Sequence, residues 1–171
     1  MKRTLTTFGF LFLAVLLIFI FFRPSSRWKA GEGVSKFSLH TEEGEKVSLS
    51  DFSGKIVLIN FWATWCPPCI EEMPSLVALQ KRFAGRPFVL LTVNEDEGGS
   101  DVLVRQFKKQ TGLDFLSLLD ETGSIADAFG VYSLPQSFLI DGQGQLIRQI
   151  SGAVNWSGRK YVELIESHLE K

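Results

Sequence analysis

The two cysteines are the residues whose type and spacing point most directly to chemistry. Cys66 and Cys69 are the only cysteines in the 171-residue chain, and two prolines separate them. Thiols at positions i and i+3 of a first helical turn are close enough to form a disulfide without movement of the backbone. The CPPC segment therefore predicts a redox-active pair. The alternatives are an inert structural disulfide and half of a zinc site, to which only His40 and His168, both remote in sequence, could add ligands.

The segments on either side of the cysteines indicate how the thiols are positioned. Residues 56–61 (IVLINF) are largely apolar and rich in β-branched side chains, which is typical of a strand buried on both faces. A proline directly after Cys66 fits the first position of a helix. The apolar spacing of Leu76, Leu79 and Phe83 supports a helix over the residues that follow. A buried strand is thus expected to deliver Cys66 to a helix N-terminus.

This position gives the two thiols different roles. At or beside the N-cap, the helix dipole and the free backbone amides favour the thiolate of Cys66, which makes it the attacking nucleophile. Cys69 lies one turn further along, and we expect it to be more buried and to resolve the mixed disulfide. Because Pro67 and Pro68 have no N–H group, the Cys66 sulfur loses two donors. The sequence therefore predicts a weakly stabilised thiolate, and hence a pair that reduces its partners.

Glu72 is the candidate proton acceptor. It follows Cys69 by three residues and so lies on the same face of the predicted helix, whereas Glu71 points about 100° away around the helix axis. A carboxylate that is held near two thiols and partly desolvated has a raised pKa, and it can take the proton of Cys69 when that thiol attacks. The alternative is an ordinary solvated charge on the helix surface.

Strand and helix patterns alternate along the rest of the chain. A small hairpin over 37–49 precedes the buried strand, a second apolar strand covers 88–93, and a helix and a strand follow the acidic loop 94–99. A short helix over 124–129, an antiparallel pair over 137–150 and a closing helix complete the series. This order of elements predicts an α/β sandwich with a mixed sheet.

The N-terminal residues are predicted to form a membrane anchor. Residues 4–22 carry no charge, and a helix of this length comes close to the ~30 Å thickness of the hydrocarbon core. The bulky apolar run is followed by RPSSR and not by a small-x-small cleavage site, which favours an uncleaved anchor over a signal peptide. We therefore expect an anchor and its flank over 1–29 and one domain over 30–171.

The distribution of charge argues against one class of partner. Five of the 18 basic residues lie within positions 2–29, whereas all 19 acidic residues lie within 30–171. The predicted domain therefore has a net charge of −6, although the whole chain has a formal charge of −1. A domain this acidic is a poor candidate for binding nucleic acid.

Three stretches of the chain resemble a known family: LINFWATWCPPCIEEMP, GEKVSLSDFSGK and LPQSFLIDGQG. They are similar to the thioredoxin superfamily, specifically to its membrane-anchored TlpA/ResA/CcmG-like thiol–disulfide oxidoreductases, and the likeness covers residues 33–155 in order. The resemblance implies a thioredoxin-like three-layer sandwich with a mixed central sheet, an N-terminal β-hairpin and a central insert, preceded by one transmembrane helix. It also implies that the domain is extracytoplasmic, on the periplasmic side of the cell membrane.

The resemblance assigns further residues to the site. It supports Glu72 as the active-site glutamate. It also makes Leu134-Pro135 the cis-proline segment that faces the cysteines, where the backbone of Leu134 pairs with an extended substrate in strand fashion.

Other positions near the motif have more general interpretations. We expect Trp65 to shield the disulfide and to offer apolar contact to a substrate, next to Pro67 and Pro68. Asn60 stands where ordinary thioredoxins carry a buried aspartate. An amide cannot carry a proton, so we interpret Asn60 as a hydrogen-bonded core side chain and assign proton transfer to Glu72.

Together these features predict an enzyme that reduces protein disulfides through Cys66 and Cys69 and needs no organic cofactor and no metal. By resemblance, its substrate is apocytochrome c during cytochrome c maturation, and a membrane thiol transporter returns the electrons. Three other classes are left open. They are an oxidising disulfide donor, a copper-delivery protein, which would want CxxxC and a nearby histidine, and a peroxidase, which would need a peroxidatic cysteine in a different setting.

Overall fold

The computed structural model describes residues 28–170 of the chain. The expected membrane span over residues 4–22 therefore lies outside the described residues. Within 28–170, none of the helices is both long enough and apolar enough to cross a membrane.

Short strands and helices alternate through the described residues, as the sequence predicts. The strands are β1 (Ser38–Thr41), β2 (Lys46–Ser48), β3 (Ile56–Trp62), β4 (Phe88–Asn94), β5 (Ser117–Leu119), β6 (Gln136–Ile140) and β7 (Leu146–Ser151). The helices are α1 (Pro67–Arg82), α2 (Ser100–Thr111), α3 (Ser124–Phe129) and α4 (Arg159–Leu169), and a 3-10 turn at Leu49–Phe52 links β2 to β3.

The seven described strands form one mixed sheet in the order β2-β1-β5-β4-β3-β6-β7. β4 is parallel to both of its neighbours, β3 and β5. The remaining neighbours are antiparallel, including the N-terminal hairpin of β1 and β2. The predicted α/β fold with a mixed sheet is therefore confirmed.

β3 is central because helices cover both of its faces. All seven of its residues are buried. Its side chains alternate between two cores, one shared with α1, α2 and α4 and the other shared with α3. Leu58 and Trp62 enter the first core, and Ile59 and Phe61 enter the second. A strand placed in this way is apolar on both faces apart from Asn60, which accounts for the largely apolar run in the sequence.

One edge of the sheet collects the segments that carry the candidate site. The register pairs Trp62 with Asn94 at the ends of β3 and β4, and Phe61 with Gln136 at the start of β6. α1 begins five residues after β3 ends. The turn before α1, the loop after β4 and the segment before β6 therefore meet at the same edge.

Candidate active site

Cys66 and Cys69 form a disulfide at the start of α1. The two sulfur atoms are 2.10 Å apart, and the Cα atoms are 5.3 Å apart. Cys69 is completely buried, whereas Cys66 keeps 4% of its surface exposed. The sulfur that an external molecule can approach is therefore that of Cys66, which agrees with the roles predicted for the two thiols.

The Cys66 sulfur accepts one backbone hydrogen bond from the first turn of α1. Cys66 is the N-cap residue, and the backbone N–H of Cys69 donates to its Sγ atom at 3.3 Å. The first two helical positions are Pro67 and Pro68, which have no N–H to donate. A thiolate at Cys66 is thus stabilised by the helix dipole and by a single amide, where a first turn without proline would offer more.

A buried aspartate holds the turn that leads into the motif. The N–H of Cys66 donates to the carbonyl of Ala63 at 3.2 Å, which closes the turn. Within this turn, the backbone N–H and the hydroxyl of Thr64 both donate to the carboxylate of Asp96, at 3.2 and 3.1 Å. Asn94 Nδ2 also donates to Asp96, at 2.8 Å. Asp96 thus links the loop after β4 to the turn that carries Cys66.

Glu72 is a buried carboxylate and not a solvated helix charge. Only 4% of its surface is exposed, whereas Glu71 faces solvent. Asn60 Nδ2 donates to Oε1 at 2.8 Å, and the backbone N–H of Val154 and the indole N–H of Trp156 donate to Oε2 at 3.1 and 3.2 Å. Burial raises the pKa of Glu72 above its ordinary value, and the three hydrogen bonds oppose this increase. The structure thus gives Glu72 the environment expected of a proton acceptor.

Asn60 is a core amide of β3 that connects Glu72 to the neighbouring strand β6. Its Nδ2 atom donates to Glu72 and also to the hydroxyl of Ser137 on β6, at 2.9 Å. Asn60 is completely buried, and its Oδ1 atom has no hydrogen-bond partner among the described residues. The interpretation of Asn60 as a hydrogen-bonded core side chain agrees with this geometry.

The peptide bond between Leu134 and Pro135 is cis, as the resemblance implies. The pairing of Phe61 with Gln136 places this bond at the end of β3, at the edge from which the CPPC turn leaves. The carbonyl of Pro135 accepts a hydrogen bond from Gly152 N at 2.9 Å. No backbone hydrogen bond of Leu134 is found within 28–170, so its N–H and C=O are free to meet an extended segment.

Apolar side chains are exposed around the motif. Trp65 is 66% exposed directly before Cys66, and Pro67 and Pro68 are exposed directly after it. Tyr132, close in sequence to the cis bond, is 88% exposed. Trp62, in contrast, is fully buried and packs against two phenylalanine rings. The structure therefore places Trp65 where a partner protein can contact it.

The histidines considered as zinc ligands lie on other elements. His40 is in β1, and His168 is near the end of α4, where its Nδ1 atom lies 2.9 Å from the carbonyl oxygen of Leu164. Across residues 28–170, no three histidine, cysteine or acidic side chains are grouped in a way that could hold a metal ion.

A second carboxyl group with a perturbed pKa lies at the same edge of the sheet. The backbone N–H of Glu95 donates to the carbonyl of Trp62 at 2.9 Å, directly after β4. Burial, followed by the carboxylates of Asp120 and Asp127, raises the pKa of Glu95 to about 8. The sequence pattern marked this region only as an acidic loop, and it gave no signal for Asp96, Glu95 or Trp156 as parts of the site.

Comparison with known proteins agrees with this geometry. Residues 30–149 match the AhpC/TSA family. The chain is 35% identical over 151 residues to thiol-disulfide oxidoreductase ResA of Bacillus thuringiensis subsp. konkukian, covering 88% of this chain and 83% of the relative. It is 34% identical over 137 residues to ResA of Bacillus subtilis, covering 80% and 75%.

A solved structure shares the fold. A Chlorobium tepidum protein assigned as the thiol:disulfide interchange protein DsbE superposes with a TM-score of 0.75 at 30% identity, covering 83% of this chain and 99% of that protein. The resemblance noted in the sequence is thereby confirmed. The chain belongs to the AhpC/TSA family, and it is a thioredoxin-like thiol–disulfide oxidoreductase with a Cys66–Cys69 pair.

Proposed function

We propose that this thiol–disulfide oxidoreductase is a reductase of protein disulfides that works outside the cytoplasm, tethered to the membrane through residues 1–29. The observation that carries the direction of the reaction is the single first-turn amide, Cys69 N–H, that donates to the Cys66 sulfur. The uncharged run at 4–22 supports the tether.

The number of donors bears on the reduction potential because only the reduced form contains a thiolate. Interactions that stabilise the thiolate favour the dithiol and make the disulfide a stronger oxidant. With Pro67 and Pro68 in the first turn, Cys66 has little such stabilisation. The disulfide is then favoured over the dithiol, and the reduced enzyme passes its electrons to partners.

The proposed reaction uses three side chains, Cys66, Cys69 and Glu72. The Cys66 thiolate attacks one sulfur of a partner disulfide, that bond breaks, and the second partner sulfur leaves as a thiolate that takes a proton from water. Glu72 then accepts the proton of Cys69, and the Cys69 thiolate attacks the Cys66 sulfur of the mixed disulfide. The first partner sulfur leaves as a thiolate and takes a proton from water, so two electrons have passed to the partner and the enzyme holds its disulfide.

The exposed groups around Cys66 fit an extended polypeptide. Trp65 offers an apolar contact, and the backbone of Leu134 offers a strand-like pairing edge beside the cis bond. The resemblance to the TlpA/ResA/CcmG-like group supports apocytochrome c as the substrate and a membrane thiol transporter as the source of electrons.

The reduction potential tests the direction of the reaction. The full-length protein is equilibrated with glutathione buffers, and the fraction of dithiol is measured at each ratio. We expect a reducing value, near the roughly −270 mV of thioredoxin. A value near the ~−120 mV of a strong oxidant would show that the protein donates disulfides.

The substrate is tested by trapping. In the Cys69→Ser variant the mixed disulfide at Cys66 cannot be resolved, so partner proteins stay covalently bound and can be identified. The matched control is Cys66→Ser, which lacks the attacking sulfur and should trap no partner. Recovery of apocytochrome c with the first variant alone supports the proposed substrate, and its absence from the trapped proteins contradicts it.

A further inference from the structure

The segment between β7 and α4 is attached to α1 at two successive turns. Val154 N–H and the Trp156 indole both donate to the Glu72 carboxylate. One turn further along α1, the hydroxyl of Ser75 donates to the backbone carbonyl of Glu72 at 2.8 Å and accepts from Trp156 N–H at 3.0 Å. Trp156 is therefore fixed to α1 through both its backbone and its side chain.

We propose that Trp156 is a positioning residue, whose indole N–H fixes the Glu72 carboxylate one turn beyond Cys69 and favours its ionised form. The proposal rests on the proposed transfer of a proton from Cys69 to Glu72. It adds that a side chain 84 positions away in sequence, together with burial and the Val154 and Asn60 donors, sets how readily Glu72 holds that proton.

The chemistry of the three donors supports this role. An indole N–H and a backbone N–H can only donate, so both contacts to Oε2 favour a carboxylate over a carboxylic acid. The Asn60 amide differs, because its unpartnered Oδ1 atom could accept a hydrogen bond from the protonated carboxyl of Glu72 if the amide turned over. Trp156 cannot adapt in this way. Trp156 is also 99% buried, so its hydrogen bond to Glu72 is shielded from bulk water.

Within residues 28–170, the groups that bond to this carboxylate and shift its pKa are the uncharged donors Val154, Asn60 and Trp156, and no charged side chain is among them. On α1, Cys66 and Cys69 do not titrate while they form a disulfide. On α4, Tyr161 packs against Trp156 with ring centroids 4.8 Å apart, and Lys160 lies over the tyrosine ring. The strands contribute Asn60 and Ser137, neither of which is charged. In the oxidised protein, a pH response of the Trp156 indole in the acid range therefore reports on Glu72.

An NMR titration tests the contact without changing the protein. Full-length oxidised protein labelled with 15N at its four tryptophans gives one indole signal for each. We expect the Trp156 signal to shift with a midpoint above the ordinary range of glutamate, and this shift to disappear in Glu72→Gln. Trp62 is the internal reference, because its buried indole N–H has no partner in the described structure. A Trp156 signal that does not titrate, or that titrates equally in Glu72→Gln, overturns the proposal.

A pair of variants tests the consequence for the reaction. Trp156→Phe removes one hydrogen bond to a charged group. In the pH–rate profile of disulfide reduction, the midpoint of the acid limb should therefore move to a higher pH by about one unit. Trp62→Phe removes an equally buried indole whose N–H has no hydrogen-bond partner among the described residues, so the acid limb of the pH–rate profile should stay in place. The proposal is refuted if the midpoint of the acid limb is unchanged in Trp156→Phe, or if it shifts equally in both variants. If the enzyme reduces no disulfide at all, the proposed function fails, and the NMR titration still decides the role of Trp156.

Discussion

Restoring a backbone donor at position 68 should make the Cys66–Cys69 pair more oxidising. Pro68 occupies the second position of α1, and N-cap side chains accept hydrogen bonds from the second or third helical amide. The third amide, from Cys69, already donates to the Cys66 sulfur. Pro68→Ala supplies the missing N–H, and because Pro68 is exposed the substitution removes little packing. A second N–H then stabilises the thiolate and, with it, the reduced state.

The size of the effect follows from the strength of one such bond. Hydrogen bonds to charged groups contribute about 1.5–3 kcal/mol. The existing N–H···S contact is 3.3 Å long, and sulfur is a weak acceptor, so the lower end of that range applies. For a two-electron couple, about 1.4 kcal/mol corresponds to roughly 30 mV. We therefore expect Pro68→Ala to raise the reduction potential by roughly 30 mV.

The assay is the glutathione equilibration described above, applied to the wild-type protein and to two proline variants. Pro67→Ala is the matched control, because it restores the first helical amide, which is not one that N-cap side chains ordinarily use. Its potential should change less than that of Pro68→Ala. The reasoning is refuted if Pro68→Ala leaves the potential unchanged or lowers it, or if both variants shift it equally.

Two further predictions concern the carboxyl groups. Glu72→Gln should slow disulfide reduction by about 10²-fold or more and alter the thiol titrations, since it removes the proton acceptor; stopped-flow rates across pH, with the exposed Glu71→Gln as control, check this. For Glu95, the raised pKa of about 8 means that the folded protein keeps a proton that the unfolded chain loses near 4.5. The protonated Glu95 carboxyl therefore contributes to the free energy of unfolding fully below pH 4.5, and this contribution is lost as the pH rises towards 8. Glu95→Gln should thus raise the melting temperature, relative to wild type, more near pH 8 than near pH 4.5, and equal differences at both pH values would contradict this.

The features that the sequence predicted correctly are those that local geometry decides. A buried strand, a proline after Cys66 and an i, i+3 spacing suffice to place both thiols on the first turn of a helix, because helical geometry fixes those distances. The same spacing places Glu72 on the face of Cys69. The alternation of strand-like and helix-like patterns of apolar residues likewise predicted the order of strands and helices, and therefore the α/β fold with a mixed sheet.

The environment of those residues was decided only by the tertiary structure. Glu72 could equally have been a solvated charge, since its burial depends on α1 packing against β3 and on the loop after β7. Its partners Asn60 and Trp156 lie 12 and 84 positions away. Asp96, which holds the turn before Cys66, is 32 positions from Thr64. Proton affinity depends on desolvation and on the donors that surround a group, and these are supplied by segments distant in sequence. The chain's local pattern thus determined which atoms react, and the packing of remote segments determined how they are tuned.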